Sequence, residues 1–451
     1  MRIFISSLRW LHSIPYHNAL ALLTVIYILG GCSSEHYYVN QRLLQPHSDT
    51  GYALRNLATS GNSDSLLVFV SFSGGGYRAA ALAYGVLEEL AAQKIYWEGS
   101  EKRLLDEVDF IASVSGGSIA AAYYVLYRDL IFKDFETKVL GQDLQSMLIR
   151  RVLSPRGLWR QVSPRFGRSD MLQEILDEEI FSGKTFGDIP LSRPMLFISA
   201  TEMTHGERFE FSQDQFDFIC SDLSSFLISR AVAASMSAPI ILSPITIWNY
   251  AQSCPWHGRP LPLKSRVQTQ SFIHLLDGGL SDNTGVTTPL EVIEARGGLI
   301  GSAKASRLRG IKKRVFIVVN AQTNPEFEAD TSPDTPGLYR QLRALIDIPI
   351  NVHSNVTVNQ LWAAVDRWKR ELKEVYPEAL EDILSRDTEF YIVEVNLSAT
   401  SGTEQGLRAL QDIPTGLRLT WEDISALKTF ARTELQKNSE WRRLMEELKI
   451  R

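Results

Sequence analysis

Asp109-Phe-Ile-Ala-Ser-Val-Ser115-Gly-Gly-Ser-Ile-Ala-Ala-Ala-Tyr123 enters as an apolar run, passes through a small-residue turn and leaves as a helix-forming run. The pattern predicts a strand, a tight elbow at Ser115 and a helix. A serine on such an elbow is lifted out of the regular backbone. The N-terminus of the following helix turns its free N–H groups and positive dipole end toward any oxyanion that forms beside the hydroxyl. These are the requirements of a nucleophile. Gly116 and Gly117 let the backbone turn without a Cβ clash. The position two before the serine must also be small, because strand and helix nearly touch there. It is Ser113, where G-x-S-x-G would have glycine, so a hydroxymethyl group is added at a crowded point.

Upstream, Leu66-Leu-Val-Phe-Val-Ser-Phe72 is a buried-strand pattern that runs into Ser73-Gly74-Gly75-Gly76-Tyr77-Arg78 and then a helical stretch from Ala81 to Ala92. Three glycines between strand and helix leave backbone N–H groups bare, and such a loop cradles a phosphate or an oxyanion. The G-x-x-x-x-G-K-[ST] lysine is absent and no ribose-binding acid stands in context, which leaves an oxyanion hole as the better reading. Arg78 would either hold the loop through buried hydrogen bonds or steer a substrate phosphate. Downstream, Phe272-Ile-His-Leu-Leu-Asp277-Gly-Gly-Leu-Ser-Asp282 is a strand that delivers a carboxylate into a glycine turn. Asp-Gly-Gly alone is ordinary turn chemistry. Beside a serine nucleophile, however, the aspartate becomes a candidate base.

Together these stretches resemble the patatin-like phospholipases, whose G-G-G-x-R/K loop, G-x-S-x-G elbow and D-G-G/A turn occur here in order at Gly74 to Arg78, Ser113 to Gly117 and Asp277 to Gly279. Pro194 to Glu202, Gly206 to Phe211 and Ile228 to Pro239 also look like family segments. The resemblance covers residues 65–290 and extends more loosely over 310–420. It implies a three-layer α/β/α fold with a mostly parallel central sheet, and a serine acyl hydrolase acting on membrane lipids or phospholipids. In the implied Ser-Asp dyad, Ser115 is the nucleophile and Asp277 its base. Gly75, Gly76 and Gly116 are the oxyanion donors, and Gly74 and Arg78 the loop support or phosphate-steering residues. No cofactor or metal is implied. A triad is the rival, with His274 or His353 as base. Chain order Ser, Asp, His allows only His353, and His274 alternates with apolar neighbours as a structural histidine does. A dyad is expected to lack the acid limb near neutrality that an imidazole imposes. An acyltransferase would share every one of these residues. A catalytically silent envelope scaffold is the reading from another class, with Ser113 as its warrant.

The rest of the chain sets the context. Its 451 residues are 44% apolar and 22% charged, which suits a large globular core, and the formal net charge of −5 gives no basic field for nucleic acid. Arg2 and Arg9 precede an apolar run from Ala19 to Gly31, too short to span a bilayer but suited to a signal peptide. The run ends in Leu29-Gly30-Gly31-Cys32-Ser33-Ser34, which looks like a bacterial lipobox. Residues 1–31 are thus expected to be removed, Cys32 to be lipidated and residues 32–64 to form a tether. The catalytic domain would follow at 65–420, then a C-terminal amphipathic helix at 421–451. The protein is expected to be anchored through Cys32 at the outer membrane, facing the periplasm, because position 33 is not acidic. Cys220 and Cys254 would either pair or remain buried thiols. Six arginines, at 150, 151, 156, 160, 165 and 168, have no acid among them. They would hold anionic headgroups at a lipid site or form a solvated cap face.

Overall fold

The computed structural model describes residues 38–44, 51–53, 56, 61–254, 270–305, 309–323, 333–374, 382–398 and 409–449. The expected signal segment and Cys32 lie outside them. The near-continuous apolar runs form strands buried on both faces, as the strands of a helix-covered parallel sheet must be. They are β1 (Leu66–Phe72), β4 (Val108–Val114), β5 (Met195–Glu202) and β9 (Ile311–Asn320). With β10 (Leu384–Asn396) they make the parallel body, in the order β10-β9-β1-β4-β5. β8 (Phe272–Leu276) and β7 (Ile245–Trp248) continue it antiparallel beyond β5, and β6 (Arg208–Glu210) pairs with β5 off this path. A small hairpin, β2 (Lys94–Trp97) and β3 (Ser100–Arg103), stands apart.

The alanine- and leucine-rich helix α1 (Gly76–Ala92) follows β1, and α2 (Gly117–Tyr127) follows β4. Both are buried almost throughout. A cap region contains α3 (Leu144–Leu153), α4 (Pro155–Arg160) and α5 (Arg168–Leu176). Further helices are α6 (Ile228–Ser235), α7 (Thr287–Glu294) and the long α8 (Leu338–Glu374). The chain closes on α9 (Trp421–Lys437) and α10 (Ser439–Lys449). Thr420 caps α9 by accepting a hydrogen bond from the Asp423 N–H at 3.1 Å. The amphipathic end docks on the core, burying Trp441, Leu444, Met445 and Leu448.

Folded structure begins before Ser65. Within the stretch expected as a tether, Leu43, Tyr52 and Ala53 are buried. The Leu43 N–H donates to Cys220 O at 2.8 Å, and the Tyr52 hydroxyl accepts from the Leu196 N–H at 2.6 Å. Scattered apolar residues without periodicity gave no sign of this, because Leu43 and Tyr52 find these partners more than a hundred residues away.

Cys220 and Cys254 are joined, with Cα atoms 5.9 Å apart and a sequence separation of 34. Loop-closure entropy puts the contribution of such a cross-link at roughly 3–4 kcal/mol. Reduction is therefore expected to lower the urea midpoint. Alkylation of both thiols in the native, unreduced protein would contradict the pairing.

Candidate active site

The register of the sheet assembles the site. β1 and β4 are parallel neighbours with Phe72 opposite Ser113, so both chains leave the sheet at the same edge. The glycine loop and the elbow are thereby set side by side. β8 runs antiparallel to β5 with Leu276 opposite Thr201, while Val114 pairs with Ser199 on the other side of β5. The carboxylate that follows Leu276 therefore reaches the level of the elbow. Ser115 Oγ donates to Asp277 Oδ2 at 2.9 Å, across 162 positions of sequence.

The elbow differs in detail from the expected one. Ser115 itself takes the left-handed conformation, with φ 49°, and Gly116 is ordinary right-handed helix at φ −57°. Gly116 is required by crowding, since a Cβ there would lie 1.9 Å from Gly76 O. The glycine loop needs its residues for the other reason, with φ 137° at Gly75 and 60° at Gly76. Ser113 is accommodated by bonding, for its buried hydroxyl donates to Phe197 O on β5 at 3.2 Å.

Gly74 N–H donates to Asn283 O at 3.1 Å and is thus occupied in holding the loop. Gly75, Gly76 and Gly116 stand where loop and elbow converge, and among the described residues no acceptor takes their N–H groups. Arg78 is buried, with Nε donating to Ala321 O at 2.8 Å and a terminal nitrogen donating to Ile413 O. Both contacts tie the start of α1 to neighbouring backbone, which is loop support.

Sequence reading missed the residues that hold the backbone of Ser115 and Asp277. Ser235, at the end of α6, accepts a hydrogen bond from the Ser115 N–H at 2.7 Å and donates to Ser199 O at 2.6 Å. Two positions on, Ser237 O accepts from the Asp277 N–H at 3.0 Å, and Thr201 Oγ1 donates to Asp277 O at 2.8 Å. Ser115 and Asp277 thus hang from one short segment and one strand. Closely spaced serines in Ile228–Pro239 were the available signal.

Asp277 is buried, and burial pushes its carboxyl up from 3.8 to about 6 against the opposing hydrogen bonds from the Gly279 N–H and the Ser115 hydroxyl. A carboxyl raised this far would impose an acid limb of its own near neutrality, where the sequence expectation had none. The histidines are engaged elsewhere. His274 Nδ1 is 2.9 Å from Thr246 Oγ1, and His353 Nδ1 is 3.2 Å from Leu280 O.

Two members of the arginine cluster are paired with acids from outside it. Arg151 pairs with Glu178 at 2.5 Å, Arg160 with Glu174 at 2.6 Å, and Arg168 donates to Ile240 O at 3.1 Å. Around them Leu153, Leu158, Trp159 and Val162 are exposed.

A family model described as patatin-like phospholipase matches residues 70–290. No curated protein matches the chain. Among solved structures, human GIVD cytosolic phospholipase A2 is similar at 12% identity and TM-score 0.43, over 85% of this chain and 60% of its own. VipD from Legionella pneumophila is similar at 12% identity and TM-score 0.32, over 93% of this chain and 73% of its own. The chain therefore spans only 60% of the human enzyme's length.

Proposed function

Through residues 70–290 the chain belongs to the patatin-like phospholipase family, and from that premise we propose that it is a serine acyl hydrolase cleaving acyl esters of lipids by a Ser-Asp dyad. The observation that carries the reading is the buried 2.9 Å hydrogen bond from Ser115 to Asp277. Ser115 Oγ attacks the ester carbonyl carbon while its proton passes to Asp277 Oδ2. The carbonyl oxygen becomes an oxyanion facing the N–H groups of Gly75, Gly76 and Gly116. Collapse of this intermediate breaks the bond to the alcohol, which leaves with the proton from Asp277. Water then attacks the acyl-enzyme, giving its proton to Asp277, and the fatty acid departs as Ser115 recovers the proton.

The exposed apolar residues of the cap among arginines support a lipid surface as the place of work. Incubation of the protein and its Ser115→Ala variant with mixed phospholipids, read by mass spectrometry, is expected to give fatty acid and lysolipid only with the wild type. Equal products from both proteins would refute the assignment. Acyl transfer would appear as a new acylated lipid in place of free fatty acid.

The base must be ionised to act, so kcat/KM is expected to fall on the acid side with an apparent pKa of about 6. A rate independent of pH between 5 and 8 would contradict Asp277 as base.

The lipobox-like run ending at Cys32 supports an exported, lipid-anchored protein, for which Ser33, lacking a negative charge, favours the outer membrane. Among the described residues no helix is long and apolar enough to cross a membrane. Cys32→Ala is expected to leave a full-length precursor without lipid, and a wild-type protein unlabelled by a metabolic fatty-acid label would overturn the anchor.

A further inference from the structure

A cavity lies away from Ser115 and Asp277, on the sheet face covered by α7. Its floor is aromatic, with Phe69 and Phe316 packed at 6.0 Å between ring centroids and Phe110 and Phe197 at 6.3 Å. Ile293 closes it from α7. Its volume is about 360 Å³, near the lower end of the roughly 300–1,000 Å³ common for ligand pockets. That leaves room for one acyl chain and not for a two-chain lipid.

Arg314 of β9 lines this cavity and is 4% exposed. Its buried Nε has no hydrogen-bond partner. Burial alone acts on its proton affinity, lowering its pKa from 12.5 to about 10, and no carboxylate contributes. Every other cation at the cavity is accounted for. Arg208 bridges Glu210 at 2.5 Å and Glu291, and Arg296 is exposed to solvent. A buried guanidinium to which no carboxylate is bound is unfavourable unless something neutralises it. A planar carboxylate does so with two parallel hydrogen bonds.

We propose that this cavity is a second lipid site, which takes the carboxylate of a single fatty acid on Arg314 and lays the acyl chain along the aromatic floor. Arg314 stands opposite Leu67, five residues from Phe72 at the catalytic edge. At about 3.3 Å per strand residue the anchor is roughly 16 Å from that edge, too far for one headgroup to reach both places. The site goes beyond the proposed hydrolysis and does not depend on it.

The test is titration of the full chain carrying Ser115→Ala, so that turnover plays no part, with oleate below its aggregation concentration. A photoactivatable fatty acid maps the contact. Saturable binding is expected, with crosslinks to peptides containing Phe197 and Ile293. Arg314→Met, which keeps the length and removes the charge, should raise Kd at least tenfold and abolish those crosslinks. Arg314→Lys should recover part of the affinity. Oleyl alcohol should bind all three proteins alike. Arg314→Met binding oleate within twofold of its parent, or crosslinks confined to the segment around residue 115, would overturn the proposal. Tighter binding of lysophosphatidate than of oleate would overturn the carboxylate assignment.

Discussion

Ser115→Ala and Asp277→Asn are each expected to lower ester cleavage by comparable factors, on the order of a thousandfold or more for groups acting as one unit. His274→Gln and His353→Gln are expected to stay within about tenfold of wild type, a loss under roughly 1.4 kcal/mol. The contrast rests on geometry, since the serine hydroxyl is bonded to Asp277 while the described ring nitrogens are bonded to Thr246 and Leu280. Histidine substitution now carries the discrimination between dyad and triad, because a carboxyl with a pKa of about 6 mimics an imidazole in the pH profile. Stability supplies a control against misfolding. With its pKa raised from 3.8 to about 6 in the fold, Asp277 contributes stability that is fully present below pH 3.8 and lost as the pH rises through 6. Asp277→Asn removes the ionised, desolvated form. It should therefore be more stable than wild type by up to about 3 kcal/mol at pH 8, with no such gain at pH 3.5. An inactive variant with raised stability at pH 8 identifies a functional loss. If a folded histidine variant is as inactive as Ser115→Ala, the dyad is wrong.

Gly116→Ala should lower kcat by about a hundred- to a thousandfold, the range seen when one oxyanion donor is lost. The backbone of Gly116 is conformationally ordinary, so alanine is excluded only by the approach of the glycine loop, whose Gly76 carbonyl oxygen would stand 1.9 Å from the new Cβ. Relief requires the loop and the elbow to move apart. Both carry the proposed donors, and their separation opens the site that the oxyanion must fill while Ser115 and Asp277 remain chemically intact. The appropriate comparison is Gly61→Ala, where a Cβ would meet nothing within 4 Å. That variant should retain wild-type kcat. Measurement of kcat on a soluble ester, with thermal unfolding alongside, separates the cases. A Gly116→Ala protein within threefold of wild type would show that the loop and elbow do not jointly form the oxyanion site.

The strand–turn–helix units around Ser73–Gly76 and Ser115 were legible in the sequence because their signals are local. Apolar runs mark buried strands, and a glycine turn followed by small residues marks the entry to a close-packed helix. Asp277 was legible for a similar reason, as a carboxylate at a strand end beside two glycines. Their order in the chain was enough for the family resemblance, and the parallel sheet followed from it. Local patterns could not say how the units meet. The bridge from Ser115 through Ser235 to Ser199, the occupation of Arg78 by backbone carbonyls, and the docking of Leu43 and Tyr52 all join positions far apart in the chain. Nor could they set an energy that depends on burial. Asp277 and Arg314 have unremarkable sequence neighbourhoods, and only the packed sheet removes water from both. It gives the carboxylate a serine proton to accept and leaves the guanidinium with no anion. The side-chain types were determined by sequence, while their protonation and partners were decided by tertiary structure, because desolvation is a property of the surroundings and not of the residue.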